Sequence, residues 1–189
     1  MANAYSGVVM HRGVKPVLDE ATIANLEAVA RWLATPNRRP SLLLMGTTGN
    51  GKTTMAMAVA HWLDSYSYWF DDAERRLSFR LFTAAEIAEA AREQETARFR
   101  RMRSGEWSII DDIGEEPADV QCWGNVVRPM VDLISYRYGR NLMTLFTTNL
   151  TGPQLEERYG KRIYDRLKEY CQVVVFRNDS YRTSPRLEL

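Results

Sequence analysis

Residues 46–53 read Gly46-Thr47-Thr48-Gly49-Asn50-Gly51-Lys52-Thr53. They follow the apolar run Leu42–Met45, which predicts a strand, and precede Thr54–Leu63, which predicts a helix. A strand, a glycine-rich turn and a helix in this order, with the spacing G-x-x-x-x-G-K-[ST], are typical of a loop that binds nucleotide phosphates. Glycines allow the tight turn, and the N–H groups at the helix start point towards the anion. A surface turn that matches by chance is the alternative, and the flanking strand and helix argue against it.

The residues of this loop have predicted roles. Lys52 is expected to reach the β- and γ-phosphates, and the Thr53 hydroxyl is expected to bind Mg²⁺. The residues predicted to contact the nucleotide are Gly46, Thr47, Thr48, Gly49, Asn50, Gly51, Lys52, Thr53 and Thr54. The loop therefore predicts a protein that binds ATP together with Mg²⁺.

The composition is that of a globular protein with room for one well-packed domain. The 189 residues are 45% hydrophobic and 26% charged, with a net charge of +1, so any binding to nucleic acid would need a local patch. Cys122 and Cys171 lack metal-ligand spacing, and we expect both to be reduced and buried. No apolar run approaches the ~20 residues needed to cross a bilayer. The start of the chain lacks the features of a signal peptide, which predicts a cytoplasmic protein without a membrane partner.

The N-terminal part precedes the glycine-rich loop and is predicted to differ from the rest. Residues 1 to about 17 show no periodicity and are expected to be an irregular lead-in. A helix is predicted from Asp19, with one apolar face made by Ile23, Leu26, Ala30 and Leu33. We therefore divide the chain into a lead-in and helix, 1–37, and an ATP-binding domain, 38–189.

Strands and helices are predicted to alternate after the loop. Further strands are expected at 78–82, 107–110, 142–147 and 172–176. The predicted helices are one that starts at the capping box Thr83–Glu86 and runs into the arginine-rich segment 98–103, a long one from about 120 to 138, and one capped at 151–154. This order predicts an α/β fold whose mostly parallel five-stranded sheet has helices on both faces. Ligands of such sheets lie beyond the carboxyl ends of the strands.

Polar residues follow two of these strands. Asp111 and Asp112 come after one, and Asn149 comes after another. Asp111 is expected to hold Mg²⁺, and Asp112 to orient or deprotonate the attacking water. Asn149 is expected to hydrogen-bond the γ-phosphate or that water. The alternatives are aspartates that cap a turn and an ordinary turn asparagine. The neighbouring Glu115 and Glu116 are predicted to be a solvated loop.

Four motifs resemble those of AAA+ ATPases of the DnaC/DnaI helicase-loader and IstB transposition-helper group. They are Asp111–Gly114, Thr147–Leu150, Glu156–Leu167 and Asp179–Arg182, and they occur in the same order at similar spacing. The resemblance covers about residues 38–182 and implies a P-loop NTPase fold. It implies ATP hydrolysis, self-association into a ring or spiral, and a replicative helicase or a transposase as partner. About a dozen residues follow the last strand, so we expect no separate C-terminal lid domain.

The resemblance also implies roles for single residues. The glycine-rich loop would be Walker A, Asp111 and Asp112 would be the Walker B pair, and Asn149 would be sensor 1. Arg166 matches the arginine finger, which reaches the ATP of a neighbouring subunit, and Arg162 is the second candidate. Arg182 resembles sensor 2. Many AAA+ proteins carry Glu at the position of Asp112, which leaves open an ATP-binding scaffold with little hydrolysis. The ~37 residues before Arg38 are fewer than the separate N-terminal domain of loaders requires.

Two groups of basic and aromatic residues predict contact with single-stranded DNA. The first contains Arg92, Arg98, Phe99, Arg100, Arg101 and Arg103, and the second contains Arg128, Tyr136, Arg137, Tyr138 and Arg140. Such residues bind phosphates and stack on bases. The alternative for the first group is a solvated face balanced by Glu93 and Glu95. The leading functional hypothesis is thus an ATPase that acts on DNA or on a DNA-bound partner. A P-loop kinase for a small molecule is the competing enzyme class, and the sequence identifies neither a substrate pocket nor an arginine-bearing lid for it.

Overall fold

A computed structural model of the chain describes residues 1–70, 79–92 and 96–181. The strands are β1 (Ser41–Gly46), β2 (Arg80–Thr83), β3 (Ser108–Asp111), β4 (Val120–Cys122), β5 (Asn125–Val127), β6 (Thr144–Thr148) and β7 (Cys171–Phe176). Five of them form a sheet in the order β2-β3-β6-β1-β7, in which every neighbouring pair is parallel. The five-stranded parallel sheet predicted from the sequence is confirmed.

Helices cover both faces of this sheet. They are α1 (Ala2–His11), α2 (Glu20–Ala34), α3 (Lys52–Phe70), α4 (Ala84–Arg92), α5 (Thr96–Ser104), α6 (Pro129–Gly139), α7 (Gly152–Tyr159) and α8 (Lys161–Tyr170). Successive side chains of a strand point to opposite faces. Leu42 and Leu44 therefore join the hydrophobic core under α2 and α3, whereas Leu43 joins the core under α4, α6 and α8. Predictions of helices on both faces are confirmed.

The N-terminal lead-in was predicted to be irregular, and this prediction is wrong for residues 2–11, which form α1. Tyr5 is only 4% exposed and belongs to the same core as Met55 and Val59 of α3. Packing against α3, rather than sequence periodicity, stabilises this short helix. The domain boundary after residue 37 stays a prediction.

The helix predicted from Asp19 is confirmed as α2, and the Thr22 N–H donates to the Asp19 carboxylate over 2.7 Å at its N-terminus. The prediction of which face of α2 is buried is partly wrong. Ile23 is 45% exposed, whereas Val29 and Trp32 are buried. The helix turns Trp32 inwards, where its indole N–H donates to the Arg39 carbonyl over 2.8 Å.

The long helix predicted from 120 to 138 is also wrong in its first half. Residues 120–127 form the antiparallel hairpin β4–β5, and α6 begins only at Pro129. Trp123 and Gly124 have φ values of 52° and 77°, as a two-residue hairpin turn with left-handed central residues requires. Proline suits the first turn of a helix because its missing N–H is not needed there.

Other predicted elements agree with the structure within their described parts. The capping box at Thr83 is present, with the Glu86 N–H donating to the Thr83 hydroxyl over 3.1 Å. The predicted helix from this box into the arginine-rich segment corresponds to α4 and α5, which flank 93–95, outside the described residues. Both cysteines are free; Cys171 is buried as predicted, whereas Cys122 is half-buried. In the described parts of the chain, no helix has the length and apolar character to span a bilayer, and no helical domain follows β7 up to Tyr181.

Candidate nucleotide site

The glycine-rich loop joins β1 to α3 and depends on its glycines. Gly49 and Gly51 have φ values of 84° and 94°, in the left-handed region that favours glycine. A Cβ at Gly46 would lie 2.6 Å from the carbonyl oxygen of Phe176, so a side chain does not fit there. The loop therefore has a narrow, backbone-lined turn of the kind that encloses phosphates.

Lys52 lies inside this turn and is 4% exposed. Its ammonium donates to the carbonyl oxygens of Gly46 over 2.8 Å and Thr47 over 2.7 Å, and to the Asn149 side-chain oxygen over 2.9 Å. The loop thus surrounds one buried cation with oxygen acceptors. Phosphate oxygens are acceptors of the same kind, and they carry the negative charge that a buried ammonium favours.

Thr53 and Asp111 are in direct contact. The Thr53 hydroxyl donates to the Asp111 carboxylate over 2.8 Å, and the Thr147 hydroxyl donates to the same oxygen over 2.6 Å. A hydroxyl and a carboxylate side by side offer the hard oxygen ligands that Mg²⁺ prefers. The two residues predicted to hold Mg²⁺ are therefore brought together, and their chemistry fits that ion.

Asp112 adopts an unusual backbone conformation with φ of 54°. Its N–H donates to the Thr147 hydroxyl over 2.9 Å, so one threonine of β6 contacts both aspartates. Aspartate is among the few residues other than glycine that enter the left-handed region readily. This backbone preference offers a physical reason for a short carboxylate at this position.

Asn149 lies between the loop and the segment after β3. Its side-chain oxygen accepts from Lys52, and its amide N–H donates to Glu115 over 3.2 Å. Thr148 also contacts this segment, since its hydroxyl donates to the Ile113 carbonyl over 2.7 Å. The end of β6 thereby links the two parts of the site that come from β1 and β3.

A cavity of about 720 Å³ opens beside these residues. The predicted residues that line it are Thr48, Gly49, Gly51, Lys52, Thr53, Thr54, Asp112 and Asn149. The remaining lining residues were not predicted; they are Tyr5, Val9, Arg12, Gly13, Val14, Lys15, Val17 and Tyr181. One wall is therefore supplied by the N-terminal segment that the sequence suggested to be a lead-in.

The back of the loop is attached to the end of β7. The Asn178 amide donates to the Asn50 carbonyl over 2.8 Å, and the Tyr181 N–H donates to the Gly49 carbonyl over 2.9 Å. The Asn50 side chain is buried and contacts Lys52 over 3.2 Å, so it supports the loop from within. Sequence reasoning missed Asn178, and it included Tyr181 in the motif Asp179–Arg182 without assigning it a role. Their position just after a predicted strand, at the same edge as Asp111 and Asn149, was the available signal.

The family model described as IstB-like ATP binding protein matches residues 14–188. The chain belongs to the IstB-like ATP-binding family. The match includes the glycine-rich loop, Asp111, Asp112 and Asn149, and it begins after α1. The AAA+ group named from the sequence motifs is thereby confirmed.

Solved structures of P-loop AAA+ proteins share the fold. The crystal structure of the DnaC helicase loader is 18% identical with a TM-score of 0.66, covering 92% of this chain and 98% of that chain. DnaI is 20% identical with a TM-score of 0.65, covering 88% and 87%. A replication initiator DnaA bound to AMPPCP and single-stranded DNA is 16% identical with a TM-score of 0.60, covering 87% of this chain and 49% of that one.

Glu116 of this IstB-like chain was predicted to be solvated, and that prediction is wrong. Glu116 is 3% exposed and accepts from the Gly114 N–H over 2.8 Å and the Tyr159 hydroxyl over 2.7 Å. Arg158 donates to its backbone carbonyl. Burial and the Glu116 carboxylate together raise the pKa of Tyr159 well above its ordinary value. The loop after β3 is thus joined to α7. The neighbouring Glu115 is exposed, as predicted.

Arg166 does not line the cavity of its own chain. Its guanidinium donates to the Ser135 hydroxyl over 2.7 Å and lies 5.3 Å from the centre of the Tyr138 ring, both on α6. The second candidate, Arg162, is exposed on the first turns of α8. Arg182, which resembles sensor 2, lies outside the described residues.

One member of the second predicted DNA-binding group, Arg137, is not available to bind DNA. Arg137 is fully buried, and its guanidinium donates to the Thr144 hydroxyl over 2.7 Å and to the Gly105 and Met143 carbonyls over 2.8 and 2.9 Å. Burial lowers the pKa of Arg137 to about 10. Its inclusion in a DNA-binding group was wrong, because a buried side chain cannot reach phosphates.

Tyr136 is covered by two arginines. The guanidinium carbons of Arg103 and Arg140 lie 4.3 and 3.7 Å from its ring centre, and Arg103 also pairs with Asp132 over 2.7 Å. The ring is thereby engaged within the protein. The arginines of both groups that remain exposed are Arg92, Arg100, Arg101, Arg128 and Arg140.

Proposed function

We propose that this IstB-like protein is an AAA+ ATPase that hydrolyses ATP at a site shared between two copies. We further propose that it acts on DNA or on a DNA-bound partner in the cytoplasm, as a DnaC-like helicase loader or an IstB-like transposition helper. The observation that carries the proposal is the contact of Lys52 with Asn149 and of Thr53 with Asp111 at one edge of the sheet. These groups lie at or after the carboxyl ends of β1, β3 and β6, and they are the groups that phosphoryl transfer to water requires.

Each residue has a defined part in this proposal. Lys52 binds the β- and γ-phosphates, and Thr53 with Asp111 holds Mg²⁺, which neutralises charge on the phosphate oxygens when bound. Asp112, on the cavity wall, orients or deprotonates the attacking water. Asn149 hydrogen-bonds the γ-phosphate or that water, and its contact with Glu115 orients its amide.

Arg166 is the residue proposed to complete the site of a neighbouring copy. Its contacts with Ser135 and Tyr138 hold it against α6 of its own chain, outside the lining of its own cavity. An arginine finger in this position acts on the nucleotide of a neighbouring copy. This supports a ring or spiral in which every site is completed by the next subunit.

Direct DNA contact is proposed for the exposed arginines of α5 and its surroundings, including Arg100 and Arg101. A DnaA of the same fold has been solved with AMPPCP and single-stranded DNA. The resemblance of the sequence motifs to the IstB transposition-helper group makes a DNA-bound transposase the alternative partner to a replicative helicase. A helicase or a transposase thus fits this proposal equally well.

A second candidate function is an ATP-dependent scaffold with slow turnover. Asp112 favours it, because aspartate is one methylene shorter than the glutamate of many AAA+ proteins and so reaches less far towards water. The same ATP-binding geometry serves both candidates. The rate of turnover separates them.

ATPase rate and oligomer mass should be measured together, with and without single-stranded DNA. We expect ATP turnover without any small-molecule acceptor, and a mass above that of one chain when ATP is bound. Lys52→Ala should lower ATP affinity about 10²-fold, because it removes charge-assisted hydrogen bonds worth ~1.5–3 kcal/mol each. Turnover that requires an acceptor would instead identify a kinase, and unchanged binding by Lys52→Ala would contradict the loop assignment.

A further inference from the structure

We propose that Arg12 is a further binding residue for the polyphosphate of the nucleotide, supplied in cis by the segment that follows α1. This rests on the proposed function, since it assumes that ATP binds beside the loop. Arg12 lies before the family match, which begins at residue 14, so the match assigns nothing to it.

Arg12 lies next to the glycine-rich loop. Its guanidinium donates to the Thr54 hydroxyl over 2.8 Å, in the first turn of α3. The N–H groups of this turn and the positive end of its dipole point to the predicted phosphate position. Arg12 lines the same cavity as Lys52 and Thr53. It is therefore beside the phosphate-binding turn and not on a remote surface.

The charge and shape of the Arg12 side chain suit a phosphate group. A guanidinium has five N–H donors in a planar fork, which suits phosphate oxygens. The structure gives Arg12 one hydrogen bond, to a neutral hydroxyl, and within residues 1–70, 79–92 and 96–181 no carboxylate pairs with it. Among the described residues that line the cavity, Arg12, Lys15 and Lys52 are cationic and Asp112 is the one carboxylate. A polyanion would balance this excess of positive charge.

Contact between α1 and the glycine-rich loop holds Arg12 in position. Tyr5 of α1 is buried, and its hydroxyl lies 3.2 Å from the point that a Cβ on Gly51 would occupy. Burial raises the pKa of Tyr5 to about 12, so the phenol is neutral at physiological pH. Because Tyr5 packs directly on the loop, α1 and the Arg12 that follows it are positioned by the loop itself. This pre-organisation lowers the entropy cost of using Arg12 for binding.

The test is equilibrium binding of ATP, ADP and adenosine to the full chain, with thermal melting without nucleotide as a second readout. Arg12→Gln is compared with Arg31→Gln, an identical charge change at an exposed position on the last turn of α2. We expect Arg12→Gln to weaken ATP binding about 10- to 10²-fold, the effect of one charge-assisted contact. Adenosine binding and the melting temperature should match those of Arg31→Gln. Arg12→Lys should recover part of the ATP affinity, since it restores the charge but not the fork.

Two results would overturn the proposal. One is ATP affinity of Arg12→Gln equal to that of Arg31→Gln. The other is an equal loss for ATP and adenosine with a lower melting temperature, which would make Arg12 an anchor of α1 only. If Arg12→Gln does not fold, Arg12→Lys is compared with Arg31→Lys: weaker ATP binding at unchanged adenosine affinity supports the proposal, and equal ATP affinity overturns it. Failure of the unaltered protein to bind ATP would instead contradict the proposed function.

Discussion

The carboxyl edge of the sheet and the helices around α6 both contain clusters of charged residues. The side chains make different kinds of contact in the two regions. At the edge, Lys52 contacts Asn149, and Thr53 contacts Asp111. Around α6, arginines that look alike in the sequence have unlike surroundings. Motif residues are positioned by the backbone of strands and a turn, whereas isolated arginines are positioned by whatever they pack against.

Arginines around α6 show the range of these surroundings. Arg137 is buried among carbonyl groups, Arg103 pairs with Asp132, Arg140 stacks on Tyr136 at the surface, and Arg166 donates to Ser135. A count of positively charged residues in the sequence does not distinguish these four arginines. Their contacts differ, and substitutions should show whether their contributions to stability and activity differ as well.

The largest effect is expected for Arg166→Ala. ATP binding should be retained, while turnover should fall about 10³-fold or more, as the loss of an arginine finger does. Steady-state ATPase rates alongside equilibrium ATP binding measure this. Arg162→Ala, one turn earlier on α8, is the matched control and should keep most of its turnover.

Mixing Arg166→Ala with Lys52→Ala protein tests whether the site is shared. Each variant retains what the other lacks, so mixed oligomers should regain part of the activity. Absence of any recovery in oligomers shown to contain both chains would argue that Arg166 does not act on a neighbour.

The next largest effect is expected on folding, for Arg137→Met. The substitution leaves the Gly105 and Met143 carbonyls and the Thr144 hydroxyl without their buried donor. Breaking such a buried polar network should cost ~3 kcal/mol and lower the melting temperature by about 6–12 °C. Arg140→Met, at an exposed position on the same segment, should change stability by less than ~0.5 kcal/mol. Equal melting temperatures for the two variants would contradict the prediction that Arg137 stabilises the fold more than Arg140 does.

A smaller contrast should separate two adjacent glutamates. Glu116→Gln weakens buried hydrogen bonds with the Gly114 N–H and the Tyr159 hydroxyl, and should cost ~1–2 kcal/mol in denaturant unfolding. Glu115→Gln is exposed and keeps an oxygen acceptor for Asn149, so it should cost less than ~0.5 kcal/mol. The reverse order would show that the loop after β3 is not held through Glu116.

The smallest effect is expected for single arginines on the surface of α5. If Arg101 contacts a phosphate, Arg101→Gln should reduce the slope of log affinity against log salt by about one. Titration of labelled single-stranded DNA over a salt series measures this slope, with Arg31→Gln as the control. A slope unchanged from the unaltered protein would remove Arg101 from the DNA-binding surface.

The sequence predicted most of the features that depend on the course of the backbone, namely the strands and the residues that follow them. Apolar runs located the strands of the parallel sheet, and their carboxyl ends located Lys52, Asp111 and Asn149 together. It missed the β4–β5 hairpin because the Trp123-Gly124 turn resembles no common turn pair. It missed α1 and the cavity wall because that helix is stabilised by Tyr5 packing on α3.

The burial of Arg137 and Glu116 could not be predicted from the sequence either. Each depends on partners more than five residues away, such as Gly105 for the arginine and Tyr159 for the glutamate. Burial of a charged group is decided by these distant partners and not by its neighbours in the chain. Composition alone therefore suggests a solvated side chain at both positions.

The attachment of Arg166 to α6, away from its own cavity, has a consequence for how such an enzyme responds to its own abundance. An active site that a second molecule must complete works only while two molecules are associated. Under the proposed arrangement, the rate per molecule falls on dilution and rises as molecules gather on a common support. A scarce protein would then be nearly inactive while free, and it would consume ATP chiefly where a target has collected several copies.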